Sequence, residues 1–153
     1  MTVHLSIARI AVSGLAAVTL AGCGSSQTAG TPASSPSPTG PPVVLTKQDA
    51  THGKFLVAAS NNMTLYTFTH DTADSGTSTC TGGCLVVWPA LPVPAGITKV
   101  TGTADITGPL GIITRSDGTL QVTYKGLPLY FFHKDVSPGD VNGVYPSWVL
   151  AAP

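Results

Sequence analysis

The sequence contains no glutamate, so its seven acidic residues are all aspartate. Charged residues make up only 9% of the chain, and the formal net charge is zero. Helix-favouring residues other than alanine and leucine are scarce, which disfavours an α-helical fold. No basic cluster is present that could follow a phosphate backbone, so we expect no nucleic-acid partner.

Long hydrophobic runs are also lacking. The apolar run from Ile10 to Leu20 is shorter than the roughly 20 residues needed to span a bilayer. It follows a short segment with one arginine and ends in Leu20-Ala21-Gly22-Cys23, which is the layout of a secretory signal. The alternatives are a short transmembrane anchor and an ordinary signal peptide with an incidental cysteine.

The sequence Leu20-Ala21-Gly22-Cys23 resembles the lipobox of bacterial lipoproteins. In those proteins the cysteine thiol takes a diacylglycerol and becomes the new N-terminus after cleavage. The resemblance implies that residues 1–22 are a lipoprotein signal peptide and that Cys23 carries acyl chains such as palmitate. We therefore expect a lipid-anchored protein on the extracytoplasmic face of the cell membrane.

Residues 24–42 contain only Gly, Ser, Thr, Pro, Ala and Gln. Such a segment cannot bury enough apolar surface to offset the entropy of ordering it. We expect residues 23–42 to form a lipidated, disordered tether. The remaining residues, 43–153, are enough for one small domain with one core.

Only three cysteines are present, and acylation of Cys23 would leave Cys80 and Cys84. In an oxidising compartment these two are expected to form a disulfide across Thr81-Gly82-Gly83, whose glycines permit tight closure. The alternative is a redox or metal pair. Against it, thioredoxin-type pairs have two intervening residues, and no second cysteine pair completes a zinc site.

Short β-branched segments separated by turn residues are typical of an all-β domain, and the chain has 17 glycines and 13 prolines. Asn61-Asn62, Asp117-Gly118 and Lys125-Gly126 each supply residues that tolerate positive φ between two strand-like runs. A single helical turn is possible around Leu85 to Trp88, where Pro89 would stop it. The predicted strands are Lys54–Ala59, Met63–Thr69, Ile97–Thr103, Ile112–Arg115, Thr119–Tyr124, Leu127–His133 and Trp148–Leu150.

The stretch Leu65 to Asp71 returns as Leu129 to Asp135, 64 residues later. At this fixed offset the match extends without a gap from Leu56 with Leu120 to Asp71 with Asp135. The sequence therefore predicts two repeats, about 54–91 and 118–153, each a hairpin with a two-residue turn followed by an aspartate, a variable loop and a tryptophan. Since one hairpin alone is only marginally stable, the two should pack together as a small pseudo-symmetric β sandwich or open barrel.

Side-chain alternation places Tyr66, Phe68 and His70 on one face of their strand. The same rule places His133 on the face opposite Tyr130 and Phe132. We therefore expect His70 and His133 to lie on opposite faces, which would prevent a duplicated metal site.

The repeated frame resembles a family of bacterial secreted-repeat lipoproteins with a Tyr-x-aromatic-x-x-Asp motif. The resemblance covers the domain from about Lys54 onward and implies a repeat architecture without an assigned activity. One departure is Pro146 before Trp148, where a glycine-rich approach is expected. The motif residues are Tyr66, Phe68, Asp71 and Trp88 in the first copy and Tyr130, Phe132, Asp135 and Trp148 in the second.

The two motif aspartates precede long loops, where an aspartate commonly bonds backbone amides and fixes a turn. The functional alternative is cation binding by Asp135, Asp140 and Asn142, although the bidentate glutamate of an EF-hand is missing. His52, Met63, His70 and His133 are of types that bind copper in exported proteins, but no two have the close spacing that places ligands on one face. The candidate metal ligands are thus His70, His133, Asp135 and Asp140, and no cofactor is expected.

The aromatic residues of the motif are interpreted as core, with a sugar- or peptide-stacking platform as the alternative if the tyrosine edges are exposed. No Gly-x-Ser-x-Gly elbow, zinc-binding helix motif or glutamate acid/base pair is present, so we expect no enzyme activity. The sequence favours a membrane-anchored, non-catalytic module of the cell envelope that binds a protein or a glycan. The alternative is an envelope protein that binds copper or calcium or acts in redox chemistry.

Overall fold

The computed structural model describes residues 40–153. The predicted signal peptide, Cys23 and most of the tether lie outside the described residues. Within the described part of the chain, no helix is long and apolar enough to cross a membrane.

The fold is a small two-repeat β structure, as predicted, and residues 40–153 form no closed barrel. Three small antiparallel sheets have the strand orders β1-β2, β3-β7 and β4-β5-β6. The only helix among the described residues is a single turn, α1, which is followed by Pro89. The bounds are β1 Val44–Asp49, β2 Gly53–Ala58, β3 Tyr66–Phe68, α1 Cys84–Val87, β4 Leu110–Thr114, β5 Leu120–Tyr124, β6 Leu127–Pro128 and β7 Trp148–Leu150.

Each repeat contains one strand more than the predicted hairpin: β4 matches the predicted strand Ile112–Arg115, whereas β1 was not predicted. In the first repeat β1 pairs with β2, so that Val44 faces Ala58. In the second, β4 pairs with β5, so that Leu110 faces Tyr124. Strand β1 was missed because its outer half is polar and only Val44 is fully buried.

The gap-free alignment of the first strands is wrong. Leu65 donates its backbone N–H to Leu56 O, whereas Leu129 donates to Val122 O. Val122 therefore corresponds to Leu56. The turn after β2 has four residues, Ala59 to Asn62, whereas the turn after β5 has the two predicted residues, Lys125 and Gly126.

The predicted strand at Ile97–Thr103 is also wrong, because this segment is irregular and meets β1 at one bridge, Val44 with Gly102. Val100 and Thr101 are nevertheless buried, and Thr101 O accepts the backbone N–H of Val43. The β-branched residues of this connection anchor it to the core without forming a ladder. Burial and strand formation are separate properties that a sequence pattern does not distinguish.

The two repeats exchange partners after their hairpins. Strand β3 of the first repeat pairs with β7 of the second, so that Phe68 faces Trp148. In the same way Phe131 and His133 of the second repeat donate backbone N–H groups to Pro89 O and Val87 O of the first. The Trp segment of each repeat therefore completes the other, and neither repeat has its full set of hydrogen bonds alone.

Two buried clusters result. One is mainly aliphatic and includes Leu56, Leu65, Val122 and Leu129. The other consists of the motif aromatics and Cys80, and its buried members are Tyr66, Cys80, Trp88, Tyr130, Phe132 and Trp148. The second cluster lies where the repeats exchange, and it positions the candidate site.

Candidate functional site: the aromatic core and its groove

The pseudo-twofold axis passes between the two motif tyrosines. Tyr66 N–H donates to Tyr130 O at 2.8 Å, and Tyr130 N–H donates to Tyr66 O at 2.9 Å. Both side chains are fully buried. A sugar or peptide platform on exposed tyrosine edges is therefore wrong for Tyr66 and Tyr130.

Each tyrosine hydroxyl is bonded to the motif aspartate of the other repeat. Tyr66 donates its O–H to Asp135 Oδ2 at 2.7 Å, and Tyr130 donates to Asp71 Oδ2 at 2.6 Å. Both carboxylates are buried, with exposed fractions of 6% and 7%. We call these two contacts the Tyr–Asp pairs.

The second oxygen of each aspartate holds the loop that follows it. Asp71 Oδ1 accepts the backbone N–H and the hydroxyl of Thr79, both at 2.7 Å. Asp135 Oδ1 accepts the backbone N–H of Asn142 at 2.9 Å. Each aspartate thus fixes its own loop and the opposite tyrosine at once.

The surroundings keep both phenols protonated. Burial raises the pKa of Tyr66 well above its usual value, and the hydrogen bond to Asp135 raises it further. Burial likewise raises the pKa of Tyr130, and the bond to Asp71 adds to the shift. Ionising either phenol would place a second negative charge beside a buried carboxylate.

The two tryptophans stack on each other across the axis. Their ring centroids are 3.8 Å apart and the planes differ by 6°. Phe68 stacks on the outer face of Trp148 at 4.4 Å, and Phe132 lies against Trp88 at 4.5 Å. The order Phe68, Trp148, Trp88, Phe132 is a four-ring stack in which rings of the first and the second repeat alternate.

One edge of this stack borders an open groove of about 560 Å³. Apolar and aromatic side chains dominate its surface, and none of the described residues that line it is acidic. His70, His133 and Lys134, with the hydroxyl-bearing side chains Tyr145 and Ser147, are its polar lining residues. Its other lining residues are Phe68, Val87, Trp88, Phe132, Tyr145, Pro146, Ser147 and Trp148.

The parity prediction for the histidines is wrong, because His70 and His133 line the same groove. The rings of Phe68 and His70 are 4.7 Å apart, and those of Phe132 and His133 are 5.2 Å apart. Strand alternation ends at Phe68, and both histidines lie in turns. Period-two alternation holds only within a strand, so it does not determine where either histidine points.

The four metal candidates do not form one site. Asp135 is bonded to Tyr66 and Asn142, and Asp140 Oδ2 accepts the backbone N–H groups of Val136 and Ser137. Among residues 40–153, no three His, Cys or Asp side chains are grouped in a way that could hold a metal ion. The geometry of the described residues therefore adds nothing to the copper or calcium alternative.

The predicted Cys80–Cys84 disulfide is present. It closes the turn that leads into α1 and places Cys80 in the aromatic cluster. Arg115 reaches the same turn from the second repeat, where its guanidinium donates to Cys80 O and to Gln121 Oε1. The arginine side chain is almost completely buried and was not predicted as a structural residue.

The reciprocal Tyr–Asp pairs were also missed, although the sequence carries a signal for them. A tyrosine and an aspartate recur five residues apart in both copies. If the two copies are related by a twofold axis, a hydrogen bond from the tyrosine of one copy to an aspartate implies an equivalent bond from the tyrosine of the other copy. Repetition alone, however, does not say whether each tyrosine bonds within its own copy or across the axis.

Comparison with known sequences matches the model of one family, described as a secreted repeat of unknown function, to residues 48–91 and 111–150. Both matched segments begin within the additional strand of their repeat, β1 or β4, and continue past Trp88 or to Leu150. A search of curated proteins and a search of solved structures find no match. Because the two matched segments make up more than half of the chain, the protein belongs to this family of secreted repeats.

Proposed function

We propose that the protein is an extracytoplasmic lipoprotein, anchored through Cys23, whose β domain is a non-catalytic binding module with its ligand site in the aromatic groove. Membership in a secreted-repeat family and the lipobox-like Leu20-Ala21-Gly22-Cys23 support export and anchoring. The polar tether would hold the groove away from the membrane surface.

The observation that carries the binding role is the chemistry of the groove. Pockets for small ligands are mostly apolar, with a few polar groups that fix orientation. Here the tryptophan edges and Tyr145 supply apolar surface, and Lys134 supplies a positive charge with no acidic neighbour in the lining. This combination fits a ligand with an apolar, planar body and an anionic group.

The proposal of a non-catalytic role rests on the hydrogen bonds that the two buried carboxylates accept. Asp71 accepts three hydrogen bonds and Asp135 accepts two. Their oxygens are occupied in holding loops and tyrosines. General acid/base catalysis needs a group within hydrogen-bond reach of the proton that it transfers, and these oxygens face protein donors.

The test uses naphthalene-2-carboxylate as a probe and its neutral carboxamide as the comparison. Trp88 and Trp148 are the only tryptophans in the sequence, so tryptophan fluorescence reports directly on the groove. We expect saturable quenching by the carboxylate and weaker binding of the carboxamide. Lys134→Gln should weaken carboxylate binding about threefold, the effect of one exposed charge contact.

Lys99→Gln is the matched control, because Lys99 is exposed and lies outside the groove. It should leave binding of the carboxylate unchanged. Absence of saturable quenching by both probes would contradict the groove as a binding site for this ligand class. Equal weakening by the two lysine variants would contradict the role of Lys134.

The anchor is tested separately by Cys23→Ala in the producing cell. The variant should leave the membrane fraction, since it has no thiol to acylate. Unchanged retention in the membrane fraction would contradict the lipid anchor without affecting the groove.

A further inference from the structure

The aromatic core contains a second arrangement that needs no ligand. The two indole rings are parallel and in van der Waals contact, and each has a motif tyrosine at its edge. Tyr66 meets Trp88 with ring centroids 5.6 Å apart, and Tyr130 meets Trp148 at 5.1 Å. Trp and Tyr are among the side chains that lose one electron most readily, and contact between them permits rapid electron transfer.

The stacked indoles suit the first step of such a transfer. A positive charge formed on one ring is shared with a parallel ring in contact, which stabilises the oxidised state. Both tryptophans are 94% buried, yet both border the groove, so an oxidant in solution can approach their edges. The neighbouring phenylalanine rings exclude water from the outer faces.

The Tyr–Asp pairs suit the second step. Oxidation of a tyrosine becomes favourable when its hydroxyl proton can leave at the same moment, because the tyrosine radical cation is a very strong acid. Each phenol already donates to a buried carboxylate at 2.6 or 2.7 Å. The proton therefore needs to move only along an existing hydrogen bond.

We propose that this core is a one-electron relay that takes up oxidising equivalents from small radical oxidants of the carbonate-radical or azide-radical class. The oxidant gains one electron from the tryptophan pair, which becomes a radical cation. Tyr66 or Tyr130 then donates one electron to the oxidised indole. At the same time the O–H bond of that tyrosine breaks, and its proton passes to Asp135 or Asp71, respectively. The products are the reduced oxidant, intact tryptophan, a neutral tyrosyl radical and a neutral carboxylic acid.

The activity is independent of the proposed binding function, since nothing has to occupy the groove. It requires only that a radical oxidant reaches the edge of the stack. A protein on the outer side of a cell would thereby confine one-electron damage to two buried tyrosines.

The experiment is pulse radiolysis of the purified protein with azide radicals, followed by transient absorption. The tryptophan radical band can arise only from the stacked pair, because the sequence has no other tryptophan. In the wild-type protein this band should decay as the tyrosyl band rises, in a first-order process that is slower in D2O. Persistence of the tryptophan radical without a tyrosyl rise would overturn the proposal.

Variants identify the tyrosines and the bases. Tyr66→Phe and Tyr130→Phe should each lower the tyrosyl yield, and each should lower it more than Tyr145→Phe. Tyr145 is the matched control, because it also contacts Trp88, at 6.1 Å, but makes no hydrogen bond to a carboxylate in the described structure. A yield that fell only in Tyr145→Phe would overturn the assignment to the buried pairs.

Asp71→Asn and Asp135→Asn keep the shape of the side chain and remove the base. Combined, they should slow tyrosyl formation on the order of a hundredfold, the typical contribution of a positioned proton acceptor. Asp140→Asn is the control, since within residues 40–153 Asp140 accepts hydrogen bonds only from backbone N–H groups of its own loop. If the double variant does not fold, the single variants and the D2O comparison in the wild-type protein decide. An unchanged rate with no isotope effect would contradict the role of the carboxylates.

Discussion

The two Tyr–Asp pairs have the same central contact and different supports. Around Tyr130 and Asp71 the further partners are side chains: the Ser78 hydroxyl lies 2.7 Å from the phenol oxygen, and Thr79 bonds the carboxylate through its hydroxyl as well as its N–H. Around Tyr66 and Asp135 they are backbone groups, because Gly143 N–H donates to the phenol at 3.2 Å and Asn142 N–H to the carboxylate.

The loops that supply these partners also differ. The loop after Asp71 is closed by the Cys80–Cys84 disulfide, whereas the loop after Asp135 passes so close to Tyr66 that only a glycine fits at residue 143. Pro146 lies in a tight turn in which Tyr145 and Trp148 exchange backbone hydrogen bonds at 3.0 Å. Both Tyr–Asp pairs need hydrogen-bond donors and a loop held in place beside them. The first loop provides side-chain hydroxyls and a disulfide, and the second provides backbone N–H groups and a glycine.

The largest expected effect distinguishes the two aspartates. Asp71→Ala removes the acceptor of three buried or part-buried donors, and we expect it to lower the free energy of unfolding by about 3–4 kcal/mol. Asp135→Ala removes two bonds and should cost about 2–3 kcal/mol. Urea unfolding of both variants measures the difference. A larger loss for Asp135→Ala would break the comparison.

Reduction of the disulfide should affect only the first loop. Replacing Cys80 and Cys84 by serine should cost about 2 kcal/mol, the loop-closure entropy of a ring this short. Thermal unfolding with and without a reducing agent gives the same comparison for the wild-type protein. An unchanged melting temperature would show that the disulfide does not stabilise the loop.

The second loop is tested by comparing Gly143 with Gly83, because each glycine lies five residues before the tryptophan of its repeat. A Cβ at residue 143 would lie 2.7 Å from Tyr66 Cζ, so Gly143→Ala should cost about 1–3 kcal/mol through overpacking. A Cβ at residue 83 would meet no atom of residues 40–153 within 4 Å, so Gly83→Ala should change stability by at most about 0.5 kcal/mol. Similar effects of the two variants would contradict the close approach at Tyr66.

Ionisation of the Tyr66 and Tyr130 phenols has the smallest expected effect on the free energy of unfolding at neutral pH, because both phenols stay protonated there. Their pKa values are raised in the folded state, so the stabilisation is fully present below the unfolded pKa of about 10 and is lost as pH rises above it. Each buried tyrosine should contribute a slope of about −1.4 kcal/mol per pH unit to the free energy of unfolding there.

Tyr66→Phe and Tyr130→Phe should each remove one such contribution to the slope. Denaturant unfolding between pH 9 and about pH 12 measures it. If neither variant changed the slope, the two phenols would not be coupled to folding in the way that their burial implies.

Much of the chain organisation follows from sequence alone. The duplication was predicted from the repeated motif, and the β class from short β-branched segments separated by turn residues. The pairing of Cys80 with Cys84 was predicted from an oxidising compartment and the number of cysteines. The turn at Lys125-Gly126 was predicted because a two-residue hairpin needs positive φ, and both residues have it. The turn and the disulfide depend on residues close together in the chain, which is where sequence patterns carry the most information.

The errors have three separate causes: the length of a turn, the end of a strand, and contacts between residues distant in sequence. The turn at Ala59 to Asn62 has two residues more than the turn at Lys125-Gly126, so β2 lies two positions away from where the 64-residue offset places it. Comparison of the two copies without a gap does not show this shift. His70 and His133 were assigned to opposite faces because alternation was extended past the ends of their strands. The burial of Arg115 depends on Gln121 and the Cys80 carbonyl, which the fold brings together from three segments.

The sequence by itself determined that this is a β domain made of two copies of one aromatic and acidic motif. Only the tertiary structure decided what the motif does. A hydrogen bond is formed between atoms that the fold places within 3 Å, and the fold places each tyrosine against the aspartate of the other copy. Because the repeats exchange their tryptophan segments as well, the indole stack, the reciprocal pairs and the groove exist only when both copies are folded together.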